Sequence, residues 1–212
     1  YNPETNTKCD SSEAVSTTGT KTGCMKWYAF NDEGTSTINL LLDHNTTALV
    51  AWVSKADYIA AGGTETEWGS NGNNNKGPIT ALKQLESDTS SWNKSINPRL
   101  IEAQEIVNIT GYPNWNNIMY YFHNNHPVKQ YKGDTGTNKY AWLFDNTKDC
   151  TTYGCNVADS STWGYWTNTA SPNQSCYAWS VNCFGDLLDI FTEITLNFGV
   201  RPVITISKSI IS

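Results

Sequence analysis

Gly164-Tyr165-Trp166 … Tyr177-Ala178-Trp179-Ser180-Val181-Asn182 … Gly199-Val200-Arg201-Pro202-Val203-Ile204-Thr205-Ile206 is the stretch that decides the fold. It reads as short strands rich in aromatic and β-branched residues, set off by Gly, Asn, Ser and Pro. The last strand is strongly apolar and closes the chain. Domains ending this way present side chains from a stiff sheet and its loops. The spacing holds no nucleophile–base set, which points to recognition rather than catalysis. Alternation puts Tyr177, Trp179 and Val181 on one strand face and Ala178, Ser180 and Asn182 on the other. One set must be core. We expect Trp166 and Trp179 inside, with Asn182, Phe184, Asp186, Asp189 and Phe191 exposed.

Within about thirty residues, the same region gathers rings and polar groups suited to a ligand. Trp163, Tyr165, Tyr177, Phe184 and Phe191 offer flat faces for sugar or aromatic groups. Asn168, Asn173, Asn182, Asp186, Asp189 and Glu193 would orient a ligand by hydrogen bonds. These residues are the expected ligand site.

Working outward, residues 25–30 and 37–43 read as two strands joined across Asn31-Asp32-Glu33-Gly34, and residues 48–53 as a third strand. Residues 55–61 have weak helical character, stopped by Gly62-Gly63. Ile79, Leu82 and Leu85 make an apolar stripe that predicts a helix over 78–89, with Pro78 in its first turn. A second helix is expected over 98–109 with Gly111 as its stop, and a third short one over 115–122. Beyond residue 130 the chain reads as loops and short strands, including 140–145. The expected fold class is α+β, with two to three helices packed on an antiparallel sheet and a loop-rich C-terminal half. Residues 1–23 read as an extended arm and residues 24–212 as a single domain.

Charged residues are only 16% of the chain, so its polarity comes largely from Asn, Thr and Ser, as suits an extracellular surface. Nine Trp and eleven Tyr are a heavy load for 212 residues and fit a binding surface. A formal charge of −6 with scattered lysines argues against a nucleic-acid partner. No apolar stretch approaches the roughly 20 residues needed to span a bilayer. The chain begins at Tyr1 rather than Met, which fits removal of a leader or anchor upstream.

Six cysteines occur without a CxxC pair, which argues against a zinc ribbon or a thioredoxin-type site. Cys9 with Cys24 and Cys150 with Cys155 suit disulfides in an oxidising compartment. Cys176 and Cys183 flank an expected strand that would separate them by roughly 23 Å. A disulfide needs Cα atoms within about 7 Å, so they pair only if the segment turns back.

Other candidates carry less. His123 and His126 are three apart, within reach of one metal if helical, but they lack a neighbouring carboxylate or thiol and precede Pro127. His44 suits a turn. Asp186, Asp189 and Glu193 read as solubilising charges on a hairpin more readily than as an acid–base pair. Arg201 is expected to form a buried or half-buried ion pair supporting the last strand.

Several blocks resemble a known group. Cys24-Met25-Lys26-Trp27-Tyr28-Ala29-Phe30, Leu41-Leu42-Asp43-His44-Asn45-Thr46-Thr47-Ala48, Gly77-Pro78-Ile79-Thr80-Ala81-Leu82, Arg99-Leu100-Ile101-Glu102-Ala103-Gln104-Glu105-Ile106, Cys150-Thr151-Thr152-Tyr153-Gly154-Cys155 and Gly199-Val200-Arg201-Pro202-Val203-Ile204 are similar to uncharacterised surface and pilin-like proteins of gut Gram-positive bacteria. The final segment resembles the C-type-lectin-like fold, which includes formylglycine-generating-enzyme relatives. The resemblance implies a C-type-lectin-like domain at the cell surface or secreted. It implies no activity, because that fold hosts many functions. The calcium-lectin motifs Glu-Pro-Asn and Trp-Asn-Asp are absent, and Pro113-Asn114-Trp115-Asn116-Asn117 lies in the wrong half of the chain. No cofactor is therefore expected, with calcium left as an alternative. The resulting expectation is a non-enzymatic adhesion module binding a host or microbial glycan or protein. One rival is the head of a filament subunit that contacts copies of itself. The other is a formylglycine-generating-like enzyme with Cys176 and Cys183 as a copper-binding thiol pair.

Overall fold

The computed structural model describes residues 1–13, 21–32, 34–46, 49–69, 72–111, 119–121, 140–144, 164–182, 185–194 and 198–212. The protein is α+β, with two sheets and four α-helices among these residues. The expected hairpin forms as β1 (Trp27–Phe30) and β2 (Thr37–Leu42), paired antiparallel with Trp27 opposite Leu42. α1 (Lys55–Ala60) and α2 (Glu65–Trp68) follow, then α3 (Ile79–Asp88) and α4 (Ala103–Thr110). Glu102 and Glu105 cap the start of α4 reciprocally, and Gly111 ends it in the left-handed region at φ 69°.

The remaining strands are β3 (Met119–Tyr121), β4 (Gly164–Ala170), β5 (Tyr177–Asn182), β6 (Asp186–Phe191), β7 (Phe198–Gly199) and β8 (Val203–Ser207). The first sheet runs β1-β2-β8 and the second β3-β6-β5-β4-β7. All pairings are antiparallel except the short β4–β7 ladder.

Three expectations about elements change. Residues 49–53 run beside the second sheet without joining it as a strand. Val50 N–H donates to Phe198 and Trp52 N–H to Thr192, while the indoles of Trp52 and Trp166 bond the carbonyls of Thr167 and Val50. An apolar run satisfied by such scattered partners has the composition of a strand and no ladder. The expected strand at 140–145 contains a 3-10 turn, Ala141–Leu143. The expected helix at 115–122 contains β3, which pairs with β6.

The core has three parts. One face of the first sheet (Phe30, Leu41, Val203) meets one face of the second (Tyr165, Trp179, Val181, Leu187), with α4 and Leu143 completing the layer. The second sheet's other face (Trp166, Ala178) packs on Trp52, Val53, Tyr58, Trp68, Ala81 and Leu85, from the helical side. The outer face of the first sheet (Ile38, Leu40, Leu42, Ile204, Ile206) is covered by Trp92 and Ile96, and flanked by Tyr1, Trp27, Ile210 and Ile211. The second sheet is thus buried on both faces.

The amino-terminal arm is held down at several points. Cys9 and Cys24 form the expected disulfide, with Cα atoms 6.0 Å apart. Tyr1 exchanges two backbone bonds with Met25, donating at 3.2 Å and accepting at 3.1 Å. Asn93 N–H bonds the Pro3 carbonyl, and Asn6 reaches Ser95.

Candidate functional site

The C-terminal strands do not form the open platform expected of them. Trp166 and Trp179 are buried as foreseen, but Asn182, Asp186 and Asp189 are buried too, at 7%, 2% and 5% exposure. The reason is the double cover on the second sheet, which leaves neither face to a ligand. Tyr165 is fully buried, its hydroxyl donating to the Leu143 carbonyl at 2.8 Å. Asn182 spans the β5–β6 connection, donating to the Asp186 carboxylate at 2.8 Å and accepting from its N–H at 3.1 Å. Ser171 donates to Asp189 at 2.7 Å. Asp186 and Asp189 are therefore structural carboxylates, not solubilising charges. Being three apart on one strand, they also point to opposite faces and cannot flank one scissile bond.

Among the described residues, one end of this sheet remains accessible. Tyr177 and Phe191 are half-buried and meet edge to face at 4.5 Å, with Asn173 and Glu193 exposed nearby in sequence. Asn168 is half-buried and donates to Glu102 at 2.6 Å. Cys176 is a free, half-buried thiol. The segment that follows it is an extended strand, Tyr177–Asn182, and not the turn back that pairing with Cys183 needs. Trp163, Phe184, Cys150, Cys155, Cys183, His123 and His126 lie outside the described residues.

Arg201 is fully buried, as foreseen, but its partners are backbone carbonyls rather than an acid. It donates to Leu42 at 2.6 Å, Trp142 at 2.7 Å, Leu143 at 2.9 Å and Asp43 at 3.0 Å. Burial pulls its guanidinium below the usual range, while Tyr165, Asp43 and Tyr28 pull it back up. Its carbon lies 5.1 Å from the centre of the Tyr165 ring. Burial pushes the Tyr165 phenol up to about 12, from 10 when unfolded. The folded state therefore keeps a proton that the unfolded state loses first. Stability from this group is complete below pH 10 and lost as pH rises towards 12, by roughly 2–3 kcal/mol. Urea titrations at pH 9 and pH 12 should show this fall in the native protein and a smaller one in Tyr165→Phe.

A polar cluster lies next to this arginine. Lys26 is 3.3 Å from the Asp43 carboxylate and its ammonium lies over the Tyr28 ring, 4.9 Å from the centre. Tyr28, with Asp43, holds Lys26 above its ordinary range, and burial raises Tyr28. Tyr28 stacks on Trp142 at 5.3 Å. His44 is buried, with Nδ1 4.0 Å from Asp43.

An accessible concave site lies on the other side of β1. Tyr1, Met25, Lys26, Trp27, Ala29, Leu40 and Ile211 line an open, mainly apolar groove of about 510 Å³. Alternation explains it: Met25, Trp27 and Ala29 share the outer face of the first sheet, opposite Leu42 and Leu40. The Tyr1 ring meets Trp27 edge on at 6.0 Å, and Trp27 meets Trp92 at 5.7 Å. Away from the groove, Leu82 is the one large apolar side chain exposed among the described residues. Sequence reading passes over this site because its walls come from both ends of the chain. The strand alternation of 25–30 was its only visible signal.

The described residues contain one potential metal-ligand group, Cys9, Glu13 and Cys24, and its two sulfurs are joined in the disulfide. No helix among them is long and apolar enough to cross a membrane. No family model matches the chain, and neither a curated protein nor a solved structure is similar to it at significance.

Proposed function

We propose that this protein is an extracellular recognition module whose ligand seat is the groove beside β1. The observation that carries this reading is a 510 Å³ apolar concavity, rimmed by half-buried aromatics, while among the described residues Leu82 is the one large apolar side chain exposed elsewhere. Such concavities, apolar with a few polar groups at the edge, are where ligands are held. The Cys9–Cys24 disulfide and Tyr1–Met25 bonds fix one wall, which lowers the entropy lost on binding. The disulfide and the low charge content agree with an extracellular setting. In this reading the fold is C-type-lectin-like, supported by the α+β make-up and by the aromatic strands that end the chain. The protein binds and does no chemistry on its ligand.

A second reading places the ligand at the Tyr177–Phe191 pair, the accessible remnant of the C-terminal aromatic set. An anilinonaphthalene sulfonate titration separates the two. Ala29 is exposed, so Ala29→Arg fills the groove mouth without disturbing the core. We expect dye affinity to fall about tenfold, equivalent to about 1.4 kcal/mol, with the melting temperature unchanged. Unaltered dye binding in Ala29→Arg, together with its loss in Tyr177→Ala, transfers the site to the C-terminal sheet.

A further inference from the structure

Among the described residues β1 is an edge strand, and its outer edge runs along the groove. The hydrogen-bond register says which backbone groups it offers. Asp43 N–H donates to the Lys26 carbonyl, so Lys26, and with it Tyr28 and Phe30, face β2. Met25, Trp27 and Ala29 then face outward. Met25 already uses its outward pair on Tyr1, as the first rung of an antiparallel ladder. Among the described residues, no bond is made by the outward N–H and C=O of Trp27 or Ala29. The edge thus offers two further rungs beside an apolar trough, and the side chains of those same two residues form the trough wall.

We propose that β1 accepts a fourth strand: an extended segment of a partner polypeptide, antiparallel to β1, with apolar residues at alternate positions. This inference rests on the groove reading and names its occupant. Continuity with the Tyr1–Met25 rung sets the direction. Residues opposite Trp27 and Ala29 would form the bonded pairs, and the pleat sends their side chains into the groove, on the side where the Tyr1 ring lies. About six residues cover the edge, at roughly 3.3 Å each. A lipid would fill the trough but leave the outward amides unused, and a sugar has no apolar side chains at the strand repeat to fill the trough; a peptide satisfies both. The opposite edge of the first sheet differs. Val203 of β8 already exchanges two bonds with Arg99, so that edge is partly taken. A second copy is the poorer occupant, because each chain carries a net charge of −6 and copies repel.

The test uses a blocked heptapeptide alternating valine and threonine, titrated into the full chain by calorimetry. Two further peptides carry N-methyl groups, either on the amides facing β1 or on those facing away. We expect the first methylation to weaken binding about tenfold, as loss of two hydrogen bonds requires, and the second to change it little. Hydrogen exchange at the Trp27 and Ala29 amides should slow about tenfold on binding. Ala29→Pro removes an outward N–H without touching the β1–β2 ladder, and should abolish peptide binding while the fold persists. Equal affinity for the two methylated peptides overturns the strand and leaves the groove reading intact. Failure of both peptide and dye removes both. Concentration-dependent dimers that protect the Trp27 and Ala29 amides without peptide overturn the partner in favour of a second copy.

Discussion

Arg201→Met is expected to destabilise the protein by about 4 kcal/mol or more and to lower its melting temperature by about 10 °C. The side chain is fully buried and spans four carbonyls, from Leu42, Asp43, Trp142 and Leu143. Removing it strands most of them, and each buried acceptor left unmade costs about 1–3 kcal/mol. One of the four has a particular cause. Leu42 stands opposite Pro202 in the β2–β8 register, and its N–H bonds the Pro202 carbonyl at 2.9 Å. The return bond is impossible, because proline has no N–H. Arg201 Nε supplies it instead, at 2.6 Å from the Leu42 carbonyl. The Arg-Pro pair thus lets an apolar strand enter the first sheet with no orphaned group. Arg201→Lys is expected to do little better, since one ammonium cannot reproduce a planar fork reaching carbonyls on two segments. Thermal unfolding followed by circular dichroism decides it. A melting temperature for Arg201→Lys within about 2 °C of the native value would show that the carbonyls find other donors.

The same residue shows how far sequence carries. Its burial between Val200 and Pro202 was readable from apolar neighbours, but its partners were not, because they come from residues about 60 and 160 positions away. Local pattern placed the β1–β2 hairpin, α3, α4 with its Gly111 stop, and the strands that became β4, β5 and β8. Each carries its own signal in periodicity or capping. Alternation also grouped Tyr177, Trp179 and Val181 correctly on one face. It could not say how many faces of a sheet are covered. The sequence puts Asn182, Asp186 and Asp189 outside because polar residues on strands usually lie there. Here helices close one side of the sheet and the first sheet closes the other, so these groups pair with each other and with Ser171. The groove fails to show for the complementary reason. Tyr1, Leu40 and Ile211 become neighbours only once β2 has paired with both β1 and β8.

Gly164→Ala is expected to destabilise the protein by about 3 kcal/mol or more. The argument is steric and does not involve backbone torsion, because Gly164 does not occupy the left-handed region. A Cβ at this position would lie 1.8 Å from the Val181 carbonyl oxygen and 2.8 Å from the Asn182 Cα. Both are backbone atoms of β5, so no rotamer change relieves the clash; the strands must separate. Gly164 also pairs with Phe198 of β7, and its carbonyl accepts from Asn45 at 2.9 Å. Displacing it therefore disturbs both strand neighbours and the Asn45 tie at once. Gly111→Ala makes the contrast. That glycine has φ 69° and nothing within 4 Å of the added methyl, so only the conformational penalty applies, about 1 kcal/mol. Urea midpoints of the two variants should therefore differ by about 2 kcal/mol or more in unfolding free energy. Equal midpoints would mean that β4 and β5 can part at no cost, and that the doubly covered sheet is not the rigid centre on which the rest of the protein is built.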